Sequence, residues 1–148
     1  MAEYAAALGV SLDRVEFVAE SSDVYLPRCA HSDLDLVLID GKHAFPFPIV
    51  DWYFTADRLR RGGLMVIDDA KMKPVGILRE FMEADPRWSG VAAFVDKTYA
   101  FRKLSERVHD VAWHMQPYVF HGMRDHPLQE RSLISRLRGR LRRIGRSR

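Results

Sequence analysis

The sequence predicts an α/β fold with a mostly parallel sheet, finished by an antiparallel hairpin. Three observations predict it. Two apolar runs, "LDLVLI" at 34–39 and "LMVI" at 64–67, read as buried strands, the first buried on both faces. A helical spacing of apolar residues lies between them, so the connection is strand–helix–strand. The segment "VAAFVDKTYAFRKL" at 91–104 reads as two strands joined by a tight turn near Asp96-Lys97.

The elements follow in order. Residues 2–9 form a short amphipathic helix. "RVEFVA" at 14–19 alternates and is rich in β-branched and aromatic side chains, so it reads as a strand. "SSDVYLPRCA" is a loop with a short helix that Ser21 or Ser22 can cap. Residues 49–60 place Ile49, Val50, Tyr53, Phe54 and Leu59 at helical spacing. Arg60 and Arg61 suit the last turn of that helix, and Gly62-Gly63 its stop. A further helix covers about 74–84 and ends near Asp85-Pro86. Residues 105–130 are of mixed character and read as irregular. Residues 131–145 align Leu133, Ile134, Leu137, Leu141 and Ile144 on one stripe, with arginines opposite, as a basic C-terminal helix. The expected organisation is an α/β domain at 1–104, an irregular extension at 105–130 and an arginine-rich tail at 131–148.

At 148 residues the chain suffices for one domain with a core. No window approaches the roughly 18 unbroken apolar residues of a membrane span, and "MAEYAAALGV" does not read as a signal peptide. The single cysteine, Cys29, excludes an internal disulfide framework and fits a reducing compartment, so a cytoplasmic location is expected. Charge is segregated. Residues 131–148 hold eight arginines and no acid, leaving 1–130 with a net charge of −5. An acidic body with a basic tail predicts a separate interaction for the tail, with nucleic acid or an anionic lipid surface, or else a solvated terminus.

The chemistry gathers where the two apolar runs end. Ligands of open parallel sheets bind beyond the carboxyl ends of the strands, and Asp40, Asp68 and Asp69 fall there. Three carboxylates facing one crevice need a cation, a proton or a basic partner to stay ionised together. A hard cation such as Mg²⁺ takes oxygen ligands of this kind; the alternative is that the acids cap helices or bond loop amides. His43 can serve as general base, metal ligand or substrate donor, or simply bond nearby backbone. Lys42 can hold an anionic substrate group or remain solvated. Phe45, Pro46, Phe47 and Pro48 make a stiff apolar loop, suited to wall a pocket or to set the angle of the next helix. "LVLID" and "MVIDD" also look like Walker-B strands, but the sequence has no phosphate-binding G-x-x-x-x-G-K-[ST].

The stretch "DLVLIDGKHAFPFPIVDWYFTADRLRRGGLMVIDDA" resembles the second half of a class I S-adenosylmethionine-dependent methyltransferase, nearest the macrocin-type and catechol-type O-methyltransferases. In that branch the fourth strand ends on an "IDG-x-H" motif, the fifth follows a "GG" turn and ends on "DD", and a hairpin of strands six and seven closes the sheet. The resemblance covers about 2–104. It implies a Rossmann-like sheet of order 3-2-1-4-5-7-6, of which this chain carries the C-terminal portion. The family's glycine-rich turn and the acid of its second strand have no counterpart here, so an N-terminally truncated or degenerate member is expected. The resemblance further implies S-adenosylmethionine as cofactor, bound by Glu20, Ser21 and Asp40, and catalysis by His43 and Asp40. Mg²⁺ would be held by Asp40, Asp68 and Asp69, although some metal-dependent relatives have an acid where this chain has Lys42.

Two functions are expected. The first is methyl transfer to a hydroxyl of a small-molecule acceptor. The second is a non-catalytic interaction protein working through its basic tail. A homo-oligomer formed with a second copy is a further partner expectation.

Overall fold

The computed structural model describes residues 2–120 other than Asp96 and Val111. The expected tail helix at 131–145 lies outside them. Helix α1 spans Ala2–Ala7, α2 Ser22–Tyr25, β1 Leu34–Ile39, α3 Phe47–Ala56 and β2 Leu59–Ile67. Helix α4 spans Lys73–Ala84, β3 Trp88–Phe94 and β4 Thr98–Lys103. Short 3₁₀ turns follow at Trp113–Met115 and Pro117–Phe120.

The strands order as β1-β2-β4-β3. Strand β1 pairs parallel with β2, while β2–β4 and β3–β4 are antiparallel. The described sheet is therefore mixed, with one parallel pairing, rather than mostly parallel. Its order is compatible with the 4-5-7-6 portion of a Rossmann-like sheet. Both long helices carry proline in their first turn, where the missing N–H costs no bond. Helix α4 stops at Asp85, whose carboxylate is 1 % exposed and accepts hydrogen bonds from the backbone N–H and guanidinium of Arg87.

The core lies on one face of the sheet. Val37, Ile39, Met65, Ile67 and Phe101 point from three adjacent strands onto Trp52 and Ala56 of α3 and Val75, Leu78 and Met82 of α4. The pleat sends alternate residues to the other face. There Leu36 and Leu38 are 56 % and 57 % exposed, so β1 is buried on one face and not on both. Among the described residues no helix packs over that face, and β1 is an edge strand.

Three further expectations are corrected. Residues 14–19 form no strand: among the described residues no segment pairs with them, and Val15 and Phe17 are exposed. Strand propensity without a partner does not make a ladder. Ser21 is the N-cap of α2 by position, but its hydroxyl bonds Asp23 rather than a helix N–H. Helix α3 ends at Ala56, so Arg60, Arg61, Gly62 and Gly63 belong to β2. Leu59, fully buried, pairs with Leu34 and pulls the chain into the sheet, while the buried ammonium of Lys103 donates to Leu59 O at 2.6 Å. Burial pushes the Lys103 pKa down. The register slips between Leu34 and Leu36, and Gly62, at φ +84°, absorbs the irregularity on β2.

Candidate active site

Strand β1 ends on Asp40, and the loop that follows turns back through Gly41, Lys42 and His43 to Pro46, joined to Phe45 by a cis peptide bond. Strand β2 ends beside it: the Asp68 N–H donates to Ile39 O at 3.0 Å. The two acid-bearing ends are thus held side by side by the parallel pairing. Asp69 takes φ +57°, a conformation that costs an ordinary L residue of order 1–2 kcal/mol. Its carbonyl accepts the N–H of Met72 at 2.8 Å, leading the chain toward α4.

These turns bring Asp40, His43 and Asp69 together, with one ligand atom from each lying within 4.8 Å of the others. His43 Nε2 stands 3.5 Å from Asp69 Oδ2 and 3.8 Å from Asp40 Oδ1, and is buried without a hydrogen bond. Asp40 is the exposed member, its side chain 49 % accessible. Asp68 points elsewhere. Thr98 Oγ1 donates to its Oδ1, and Lys97 Nζ lies 2.9 Å from its Oδ2 and 3.0 Å from Asp69 Oδ1. The Thr98 hydroxyl, then the Lys97 ammonium, hold the Asp68 carboxyl down to about 2. The two carboxylates push Lys97 well above the usual lysine range.

The other expected residues are placed as follows. Lys42 lies over the Phe47 ring, 3.9 Å from its centroid, a cation–π contact. Glu20 pairs with Arg28, and Ser21 bonds Asp23, so both side chains are engaged locally at the start of α2. An added Cβ at Gly41 would stand 3.7 Å from Asp51 Oδ2, an ordinary contact, so crowding does not require glycine there.

Two residues were missed in the sequence. Asp51, in the first turns of α3, is buried with Oδ1 unbonded; burial raises its carboxyl, opposed by a hydrogen bond from Ser22. A lone acid inside a helical pattern carries no signal of this kind. Lys97 is the basic partner that three clustered acids call for, yet nothing local ties a hairpin turn to the end of β2.

Residues 2–70 match the family model described as a methyltransferase domain. The match supports a methyltransferase family, and hence a transferase enzyme. It runs from α1 through Ala70 and includes Asp40, His43, Asp68 and Asp69. No curated protein matches the chain. Among the described residues, no helix is long and apolar enough to cross a membrane.

The methyltransferase family implies S-adenosylmethionine. The residues fit its sulfonium end: Asp40 presents an accessible carboxylate beyond the parallel strand ends. Glu20 and Ser21 would have to release Arg28 and Asp23 to meet its adenine. Mg²⁺ fits poorly. It demands near-octahedral oxygen coordination at about 2.0–2.1 Å, whereas both Asp68 oxygens and Asp69 Oδ1 already face protein donors and the remaining cluster includes an imidazole.

Proposed function

We propose that this chain carries the acceptor side of an S-adenosylmethionine-dependent methyltransferase that acts on a hydroxyl of a small molecule, in the macrocin- and catechol-type branch. The supporting observation is the meeting of Asp40 and His43 with Asp69 beyond the carboxyl ends of the parallel pair, within the segment matching a methyltransferase domain. S-adenosylmethionine, when bound, supplies an electrophilic methyl group on a sulfonium. Asp40 faces that positive charge. His43 takes the acceptor's hydroxyl proton on its imidazole, which stands beside the carboxylates of Asp69 and Asp40. Phe45, exposed at the mouth of the loop, and Phe47 offer apolar walls to the acceptor. Holding the two reactants in line supplies most of the rate, as in other oriented transfers.

The test is methyl transfer from labelled S-adenosylmethionine to a panel of phenolic and sugar hydroxyls, using the full chain. His43→Ala and Asp40→Asn are expected to abolish transfer while the far-ultraviolet circular dichroism is unchanged. Transfer that survives both substitutions would sink the reading. Affinity for S-adenosylmethionine is expected to be weaker than micromolar, which corresponds to about 8 kcal/mol, because the chain has no glycine-rich turn for the cofactor's amino-acid end.

A further inference from the structure

The four carboxylate oxygens of Asp68 and Asp69 all face protein groups. Asp68 Oδ1 accepts the Thr98 hydroxyl, Asp68 Oδ2 lies 2.9 Å from Lys97 Nζ, and Asp69 Oδ1 lies 3.0 Å from the same nitrogen. Asp69 Oδ2 is turned to His43 Nε2 at 3.5 Å. Lys97 therefore bridges the two acids as a single positive charge, where a divalent cation would otherwise have to sit. Its position is not left to a free side chain. The Ala70 N–H donates to Lys97 O at 2.9 Å, tying the hairpin backbone to the segment that follows the acids. A metal bridging Asp68 and Asp69 would have to expel an ammonium held by both carboxylates.

We propose that Lys97 takes the place of a divalent cation at the end of β2, so that these carboxylates are bridged by the protein's own ammonium and take up no Mg²⁺. The bridging of Asp68 and Asp69 does not depend on whether the chain transfers a methyl group, and metal binding reads it without turnover.

The experiment titrates MnCl₂, an open-shell stand-in for Mg²⁺, into the full chain and follows free Mn²⁺ by electron paramagnetic resonance. The wild-type chain is expected to show no saturable binding up to about 1 mM, and Lys97→Met to bind at least about tenfold more tightly. Saturable wild-type binding that Asp69→Asn removes overturns the proposal. So does a Lys97→Met chain, folded by circular dichroism, that binds Mn²⁺ no better than wild type. If Lys97→Met fails to fold, the wild-type titration decides alone: saturable binding refutes the proposal and its absence supports it.

Discussion

Lys97 Nζ lies 2.9 Å from Asp68 Oδ2, joining the β3–β4 turn to the end of β2 across 29 residues of chain. This contact makes the acid-rich end of the sheet dependent on the hairpin, and it governs how that end responds to pH.

Asp68 is expected to carry an acid-dependent part of the stability. Its folded pKa, about 2, lies below its ordinary value of 3.8. The contribution is therefore complete above about pH 4 and is lost as pH falls toward 2. Lys97, raised above its ordinary 10.5, contributes fully below that pH and is lost as pH rises through the raised value. Thermal midpoints recorded from pH 2 to 7 should fall less steeply for Asp68→Asn than for wild type. Parallel curves would mean that the contact does not stabilise the fold.

Gly63→Ala should destabilise the chain by about 1–3 kcal/mol. A Cβ there would come within 2.7 Å of Leu59 Cδ1 and 3.0 Å of Arg60 O, and Leu59 is fully buried. Leu59→Ala alone should cost about 2–5 kcal/mol. Because the two changes share one space, the double variant should lose less than the sum of the two. Urea unfolding of the four chains measures the coupling; strict additivity would contradict the crowding.

Asp69 separates backbone strain from chemistry. Asp69→Gly accepts φ +57° freely, whereas Asp69→Ala pays roughly 1 kcal/mol more to hold it. Both remove the carboxylate beside His43. Methyl transfer should therefore fall equally in the two variants while their unfolding midpoints differ, with alanine lower. Equal midpoints would argue that the turn relaxes out of the left-handed region.

Deleting residues 131–148 should leave the 34–104 core folded and reduce binding to anionic vesicles or nucleic acid at low salt. Eight arginines near an anionic surface contribute about 1 kcal/mol each before screening. Circular dichroism and vesicle co-sedimentation check the two halves of this statement. A deletion that unfolds the core would make the tail structural.

Much of the layout was legible because it depends on neighbours in sequence. The apolar run at 34–39, the helical spacing that follows it, the Asp85-Pro86 stop and the hairpin at 91–104 are local patterns, and each found its element. The strand expected at 14–19 and the helix stop expected at Gly62-Gly63 were local patterns too, and they failed. A strand needs a partner in space, and among the described residues, 14–19 have none. A Gly-Gly pair reads alike after a helix or within an irregular strand, and pairing of Leu59 with Leu34 decided between them.

The candidate site divides the same way. That acids stand at the ends of two neighbouring strands was determined by the sequence itself, since each follows an apolar run directly. Which acids meet was decided only by the tertiary structure. A left-handed turn at Asp69 aims one oxygen at His43 and leaves the other on Lys97, while Asp68, one residue earlier, is turned to Thr98 and Lys97. Successive side chains of an extended chain point to opposite sides, so adjacent aspartates cannot share one partner set without a backbone distortion. The identity of the bridging cation rests on a lysine brought back by antiparallel pairing, a long-range event that no local pattern encodes.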